Sequence, residues 1–291
     1  MMSDIDYEQL YIQWFPGHMT KAQRMIEENM KLVDAVCEII DARIPNASRN
    51  PDIGRLAGNK PRVIILNRVD LADPAVTAEW RRYFESQGIR ILETDAKSGK
   101  GINGFVPLLR SVLKDKLEAY AAKGQASRPL RVMVLGIPNV GKSTFINKVA
   151  KRKAAAAGDK PGVTRGKQWI NIDRGLDLLD TPGILWPKFD TQEVGELLAL
   201  TNAIKSDVLD KERLAANFML RLRRCCPNVI TERYKFTPDP DMNGYELLRE
   251  AAKKRGFLVS GGEYDTERMA NTLLGEFHDG KLGRISLERP E

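Results

Sequence analysis

The strongest chemical signal in the sequence is the octapeptide G-I-P-N-V-G-K-S at residues 136–143, which follows the apolar run R-V-M-V-L. Glycines in the pattern G-x-x-x-x-G-K-[ST] let backbone N–H groups and a helix N-terminus approach phosphate oxygens closely. We therefore predict a P-loop in which Lys142 bridges the β- and γ-phosphates of a nucleotide, as a binding and catalytic group, and the Ser143 hydroxyl binds Mg²⁺. The predicted nucleotide contacts in this loop are Asn139, Val140, Gly141, Lys142, Ser143 and Thr144.

A second phosphate motif, D-T-P-G at residues 180–183, ends another apolar run. Asp180 is expected to hold Mg²⁺ through water, while Pro182 and Gly183 bring the Gly183 N–H to the γ-phosphate. Between the two motifs, the segment P-G-V-T-R-G offers Thr164, whose hydroxyl can complete the Mg²⁺ shell when the γ-phosphate is present. We assign Thr164 a catalytic as well as a binding role. A P-loop alone is compatible with an ATPase, a GTPase or a small-molecule kinase. The D-x-x-G motif reduces the number of these enzyme classes that fit the sequence.

The choice of base is predicted from motifs that lie earlier in the chain. The run V-I-I-L-N-R-V-D at residues 63–70 ends a buried strand with Asn67 and Asp70 and resembles the N-K-x-D motif of GTPases. The Asp70 carboxylate can accept hydrogen bonds from guanine N1–H and the 2-amino group, which adenine cannot supply. Arg68 stands where lysine is usual, and its aliphatic stem can still flank the base.

The segment T-D-A-K-S-G-K-G at residues 94–101 is similar to the S-A-K loop of the same proteins. The Ala96 N–H is expected to face guanine O6, and the Lys97 side chain is expected to cover the base. Asp95 replaces the usual serine. Guanine is therefore the predicted base, and GTP and GDP are the predicted ligands.

The order of these motifs is unusual, because the guanine motifs precede the phosphate motifs along the chain. In the usual numbering of GTPase motifs, the order here is G4 (residues 67–70), G5 (residues 95–97), G1 (residues 136–143), G2 (Thr164) and G3 (residues 180–183). Circular permutation explains this order without a new fold, since the termini of compact domains often lie close enough to be joined. The polar segment K-G-Q-A-S-R-P at residues 123–129 is the predicted joining link.

Strands alternate with helices over the first two thirds of the sequence, which is typical of an α/β fold with a mostly parallel sheet. The predicted strands are Ala35–Ile40, Arg62–Leu66, Arg90–Leu92, Arg131–Leu135, Trp169–Ile172 and Leu176–Leu179. The predicted helices are Met19–Leu32, Ala75–Gln87, Ile102–Ala122, Lys142–Val149, Thr191–Ala203, Lys211–Arg224, Asn243–Arg255 and Asp265–Phe277. We predict a circularly permuted P-loop GTPase domain over residues 1–190 and a small α-helical domain over residues 191–291.

Composition excludes several classes of protein. The 291 residues include 42% apolar and 29% charged ones, and the sequence shows no span or leader pattern, so we expect a cytoplasmic protein without a membrane partner. Three cysteines without C-x-x-C spacing and two histidines do not build a zinc site. The net charge of +7 fits a nucleic-acid partner, and a soluble basic surface of no specific meaning fits it equally well.

These motifs together resemble the circularly permuted ribosome-assembly GTPases. The resemblance also rests on W-F-P-G-H-M at residues 14–19, D-A-R-I-P-N-A-S-R-N-P at residues 41–51, D-T-P-G-I-L-W-P-K at residues 180–188 and G-K-L-G-R-I-S-L-E at residues 280–288. It covers the chain nearly end to end. It implies a cytosolic GTPase that binds the large (50S) ribosomal subunit late in assembly, with the helical domain on ribosomal RNA and not on DNA. It also implies that Asn139 helps to bind K⁺ beside the phosphates.

The residue that orients the attacking water is not where many GTPases have it. They place glutamine directly after D-x-x-G, but this sequence has Ile184, whose side chain cannot orient water. The segment before the first long helix is expected to occupy the place where the second switch would continue. We therefore predict that His18 orients the water once ribosome binding orders this segment, although a simple capping role for His18 stays open.

Two other classes of function remain open at this stage. A different P-loop hydrolase or small-molecule enzyme can use the same loop, although the sequence offers no second acid, base or nucleophile cluster. A GTP-regulated RNA-binding module with little hydrolysis is the other alternative. Basic residues around two predicted helices fit phosphate contacts or a solvated helix face, namely Lys205, Lys211, Arg213, Arg221, Arg223 and Arg224.

Overall fold

A computed structural model describes residues 18–125, 127–157, 169–181, 183, 185, 189, 191–204 and 210–290, with the backbone alone at 18–23 and 152–157. The described residues form two compact units. One holds the described residues from 18 to 185 together with 288–290, and the other holds those from 189 to 287. The chain therefore enters the first unit a second time at Glu288. Within these described ranges, no helix is long and apolar enough to cross a membrane.

The first unit is built on a six-stranded sheet. Its strands are β1 (Ala35–Asp41), β2 (Arg62–Asn67), β3 (Arg90–Thr94), β4 (Leu130–Gly136), β5 (Trp169–Asp173) and β6 (Leu176–Asp180). They lie in the order β3-β2-β1-β4-β6-β5, and every neighbouring pair is parallel except the β5–β6 hairpin. All six predicted strands and the mostly parallel sheet are confirmed.

Helices cover this sheet because its central strands are apolar on both faces. Strand β1 is buried along its whole length, as expected for a parallel strand with helices on either side. The helices of this unit are α1 (His18–Met30), α2 (Asp52–Ala57), α3 (Pro74–Ser86), α4 (Phe105–Val112), α5 (Lys114–Ala122) and α6 (Lys142–Ala157). One buried cluster joins α1 and α2 to β1, β4 and β6, and a second joins α3 to β1 and β2.

The parallel register gathers the predicted motifs at one edge of the sheet. Asp41, the last residue of β1, pairs with Asn67 at the end of β2, which in turn pairs with Thr94 at the end of β3. On the other side, β4 ends at Gly136 beside Ile39, and β6 ends at Asp180. The carboxyl edge of a parallel sheet is where ligands of open α/β folds bind.

The helix pattern of this unit differs from the prediction in two places. The single helix expected over Ile102–Ala122 is a 3₁₀ turn at Ile102–Gly104 followed by α4 and α5, which meet at Leu113. Pro107 has no N–H to donate backward, so a regular helix can contain it only within its first turn. Helix α2 was missed, because its six residues are too few to show a helical period.

The second unit is helical. Its elements are α7 (Gln192–Leu200), α8 (Lys211–Cys225), α9 (Pro227–Tyr234), α10 (Gly244–Arg255) and α11 (Thr266–His278). The four predicted helices of this region are confirmed, and α9 was missed because it is short and begins at a proline. Its core includes the ring pair of Phe218 and Phe277, whose centroids lie 4.8 Å apart.

Two buried ion-pair groups fix the packing of these helices. Glu276 accepts hydrogen bonds from Arg233, Tyr234 and Arg255. Arg221 is only 3% exposed in its side chain, and its guanidinium donates to Glu193 at 2.8 Å. For Arg221, the sequence left both a phosphate contact and a solvated helix face open. Its burial and its ion pair with Glu193 fit neither of them.

Candidate nucleotide-binding site

Asn67 joins the two guanine motifs to the P-loop. Its side chain is buried, and its Nδ2 donates to the Val140 carbonyl oxygen at 2.8 Å. Its Oδ1 accepts from the Ala96 N–H at 3.0 Å and from the Thr94 hydroxyl at 3.1 Å. Residues separated by up to 73 positions in the chain are thus tied at one point.

The contact between the Ala96 N–H and guanine O6 stays a prediction. In the structure, this N–H donates to Asn67 Oδ1. The physical reason is that the buried Asn67 amide oxygen needs donors, and the Ala96 N–H and the Thr94 hydroxyl supply them. Asp70 and Lys97 are both exposed at this end of the site, where their side chains are accessible to a base.

Asp95 builds the turn that carries Ala96 and Lys97. Its Oδ1 accepts hydrogen bonds from the Lys97 N–H at 2.9 Å and from the Ser98 N–H at 3.2 Å, which is an aspartate turn. Desolvation opposes ionisation of Asp95, but hydrogen bonds from Ser98 and the backbone outweigh it and hold the pKa of the carboxyl below its ordinary value. The replacement of serine by aspartate therefore preserves an ordered loop.

Arg68 reaches across from the guanine motif to the P-loop. Its backbone is left-handed, with φ of 61°, and its Nη2 donates to the Asn139 carbonyl oxygen at 2.6 Å. Its Nη1 lies 3.8 Å from Asp41 Oδ2 at the end of β1. The backbone of Asn139 is also left-handed, with φ of 58°, and this residue is exposed. Asp41 belongs to the segment 41–51 that carries the family resemblance, but no role at this site was predicted for it.

The P-loop glycines are required by close approach. Gly141 has φ of 93°, and a Cβ at this position would overlap the Asn67 Nδ2 atom. Gly183 of the D-x-x-G motif lies against the P-loop as well, since a Cβ there would lie 3.0 Å from the Pro138 Cα and N atoms. Both positions thus admit only glycine without displacement of the backbone or of Asn67.

The two phosphate motifs meet at an ion pair. Lys142 Nζ lies 2.5 Å from Asp180 Oδ1, and the Lys142 side chain is 8% exposed. The next residue, Thr181, donates its hydroxyl to the Val134 carbonyl oxygen at 2.7 Å, which fixes the end of β6 to β4. Ser143 and Thr144 are exposed at the start of α6. The structure therefore brings the P-loop lysine and the predicted Mg²⁺ carboxylate to one place.

Several predicted site residues lie outside the described part of the chain. These are Thr164 and Pro182, together with Ile184 and the side chain of His18, whose backbone begins α1. Their roles stay predictions.

The fold and this site define a P-loop GTPase whose guanine motifs precede its phosphate motifs. The model of the 50S ribosome-binding GTPase family matches residues 131–223. Ribosome biogenesis GTPase A from Priestia megaterium is 45% identical over 280 residues, which cover 96% of this chain and 97% of that protein. The chain belongs to the ribosome biogenesis GTPase A family, and it is a GTPase that binds guanine nucleotide.

Solved structures agree with this assignment. GDP-bound YlqF of T. maritima is 28% identical with a TM-score of 0.69, over 92% of this chain and 99% of that chain. GNP-bound YlqF from the same organism is 29% identical with a TM-score of 0.65, over 93% of this chain and 99% of that chain.

Proposed function

We propose that the protein couples GTP hydrolysis to assembly of the large ribosomal subunit in the cytoplasm, with its helical unit on ribosomal RNA. The observation that carries this proposal is the near full-length similarity to ribosome biogenesis GTPase A, which includes the helical unit as well as the nucleotide site. The net charge of +7 is consistent with a polyanionic partner. On α8, Arg224 is exposed and Lys211 is partly exposed, in contrast to the buried Arg221.

The described residues support distinct roles in GTP binding. Asp70 would accept from the guanine edge, and Lys97 and the Arg68 stem would flank the ring. Val140 through Thr144 would surround the phosphates with backbone N–H groups at the N-terminus of α6. Lys142 would neutralise charge that develops between the β- and γ-phosphates, which is most valuable in the transition state.

Mg²⁺ fits the donor set at the meeting point of the phosphate motifs. The Ser143 hydroxyl and the Asp180 carboxylate are hard oxygen donors of the kind that Mg²⁺ prefers, and Thr164 would add a third. Among the described residues, no group of three or more His, Cys, Asp or Glu side chains is placed to hold a metal. Held by these residues, Mg²⁺ would supply positive charge that offsets the charge of the phosphates. K⁺ is proposed beside Asn139, which is exposed and has a left-handed backbone.

His18 is our proposed water-orienting residue. The His18→Ala variant is expected to lose ribosome-stimulated turnover and to keep its GTP affinity within about twofold, because the imidazole acts on water and not on nucleotide. The His18→Gln variant, which supplies the side chain that many GTPases use, should retain part of the turnover. The matched control is His278→Ala, because His278 lies in the helical unit and bonds the Leu200 carbonyl oxygen. Full stimulated turnover in His18→Ala would exclude this role.

The connection between the units supports a nucleotide-dependent switch. The D-x-x-G strand β6 ends at Asp180, and the chain then leads to helix α7 through residues 181–191. Loss of the γ-phosphate releases the D-x-x-G segment in ordinary GTPases. In this protein, it should therefore change the orientation of the helical unit and its affinity for RNA. Small-angle scattering with GDP and with a GTP analogue measures this change. Identical curves in the two states would contradict the coupling.

The central experiment is GTP turnover by the purified full chain, with and without immature or mature large subunits, in K⁺ and in Na⁺. We expect stimulation by large subunits, a higher rate in K⁺, and little activity with ATP. An ATP preference would favour a different P-loop hydrolase. Tight GTP binding without stimulated turnover would favour the RNA-binding module, and stimulation by small subunits alone would refute the assignment of the large subunit.

A further inference from the structure

Two segments that were given no role in nucleotide binding are in contact. They are residues 41–51 and residues 280–288. Glu288 Oε2 accepts a hydrogen bond from the Asn46 N–H at 2.8 Å, and both carboxylate oxygens lie 3.1 Å from the Ala47 nitrogen. One side chain thus binds two successive backbone donors in the loop that follows β1. We call residues 41–50 the β1 loop. Successive backbone N–H groups are a recurrent site for an anionic oxygen.

Glu288 and the residue after it make further contacts with the same unit. Trp80 Nε1 donates to the Glu288 carbonyl oxygen at 3.2 Å, and the Arg289 guanidinium donates to both Glu79 oxygens at 2.7 and 2.9 Å. Both partners belong to α3. Leu287, the preceding residue, is the last residue of the helical unit.

The β1 loop is closed on itself, so a contact at its centre is transmitted to its ends. The Ser48 hydroxyl accepts from the Asp41 N–H at 2.9 Å, and the Ser48 N–H donates to the Ile44 carbonyl oxygen at 2.9 Å. The Asp41 carboxylate accepts from the Arg43 backbone N–H at 3.0 Å and from its guanidinium at 2.8 and 3.0 Å. Both of these side chains are buried. Close packing of this kind transmits strain from one part of the loop to another.

The start of the β1 loop rests on the guanine motif. The Ala42 N–H donates to the Asn67 carbonyl oxygen at 2.8 Å. The Asp41 carboxylate faces Arg68 at 3.8 Å, and Arg68 in turn donates to the Asn139 carbonyl oxygen of the P-loop. A continuous series of contacts therefore leads from Glu288 through the β1 loop to Arg68 and the P-loop.

We propose that Glu288 is a positioning residue for the guanine nucleotide, which it affects by fixing the β1 loop that holds Arg68 against the P-loop. The inference rests on the proposed nucleotide-binding roles of Arg68 and Asn139 and adds a determinant of affinity that lies beyond the helical unit in the chain. It makes nucleotide affinity dependent on a carboxylate near the C-terminus, where the chain leaves the helical unit at Leu287.

The test measures GDP affinity in full-length variants by titration with a fluorescent GDP analogue. Glu288→Ala removes both acceptor oxygens and should weaken GDP binding about fivefold to tenfold. Glu288→Gln keeps one neutral acceptor and should weaken it about twofold to threefold. Arg289→Ala is the matched control, because it removes the adjacent exposed ion pair with Glu79 and leaves the loop contact in place. It should bind GDP within twofold of the unchanged protein.

A double-mutant cycle with Arg68→Ala separates positioning from a general structural role. If Glu288 acts through Arg68, the loss caused by Glu288→Ala should shrink to less than twofold in the Arg68→Ala background. Additive losses would overturn the proposal, as would wild-type affinity in Glu288→Ala. If Glu288→Ala does not fold, the same cycle is run with Glu288→Gln and decides in the same way. Failure of the unchanged protein to bind GDP would instead refute the proposed function itself.

Amide hydrogen exchange gives a second readout on the same variants. Loss of the carboxylate should speed exchange at Asn46 and Ala47. Through Arg68 and the P-loop, it should also speed exchange at Phe145, whose N–H donates to the Gly141 carbonyl oxygen. The Arg289→Ala control should leave both regions protected. Faster exchange confined to the β1 loop, with a protected P-loop, would show that the series of contacts ends before the nucleotide site and would contradict the proposal.

Discussion

Replacement of Asn67 by alanine tests how the nucleotide site is assembled. The substitution removes the donor for the Val140 carbonyl oxygen and the acceptor for the Ala96 N–H, and both residues are 2% exposed. A buried polar group left without a partner costs about 1–3 kcal/mol. The Thr94 hydroxyl can rotate to another acceptor, so it adds little. Two such penalties, reduced by local relaxation, predict a loss of about 2–4 kcal/mol in the free energy of unfolding.

The same substitution should weaken GDP binding at least tenfold, a loss of about 1.4 kcal/mol, because the P-loop and the guanine motifs lose their common anchor. Urea unfolding and GDP titration measure the two effects. Asn171→Ala is the matched control, because Asn171 is exposed in the β5–β6 hairpin and bonds Asp177 there. It should change stability by less than about 0.5 kcal/mol. An Asn67→Ala variant with unchanged unfolding midpoint and unchanged GDP affinity would refute the proposed role of this side chain.

Three further predictions follow from charge and burial. Desolvation opposes ionisation of Glu276, but its hydrogen bonds and neighbouring arginines hold its pKa below the ordinary value, so its stabilisation is present at neutral pH and lost as pH falls below about 4.5. Glu276→Gln should cost about 1–2 kcal/mol at pH 7, since its arginine partners are partly exposed, and should flatten the acid limb of urea-unfolding curves; an unchanged limb would contradict this. Asp70→Ala should reduce GDP affinity at least tenfold, or about 1.4 kcal/mol, with unfolding unchanged, because Asp70 is exposed; equal GDP affinity would exclude the guanine contact. Burial raises the pKa of the Cys37 thiol, whereas a hydrogen bond from the adjacent thiol lowers the pKa of Cys225, so maleimide labelling followed by mass spectrometry should modify Cys225 first; faster labelling of Cys37 would refute this order.

The sheet was predictable from sequence because its strands carry a strong local signal. The central predicted strands are apolar runs bounded by polar or turn residues, and burial of both faces in a parallel sheet produces such runs. Helix ends and short helices were less predictable. Leu113, where α4 ends and α5 begins, is fully apolar and carries no breaker signal, so tertiary packing decides that break.

The site was predictable to the extent that its motifs are local in sequence. Residue type and spacing predict a phosphate or base contact for each of three motifs, namely the P-loop, the D-x-x-G motif and the N-x-x-D motif. The destination of the Ala96 N–H was not predictable, because it depends on the Asn67 amide, 29 positions away. The role of Asp41 was missed for a similar reason, since only the parallel register of β1 and β2 places it beside Arg68.

Circular permutation leaves this site intact because the site is assembled from the ends of parallel strands and not from their order in the chain. Asp41, Asn67, Gly136 and Asp180 reach the same edge whichever strand comes first. Permutation does change what is attached to each strand end. Here the D-x-x-G segment leads into the helical unit, and Glu288, after that unit, binds the β1 loop. The helical unit is therefore joined to the nucleotide-binding unit by two chain segments, one from the D-x-x-G motif and one to Glu288. The scattering and Glu288 experiments address these two connections separately.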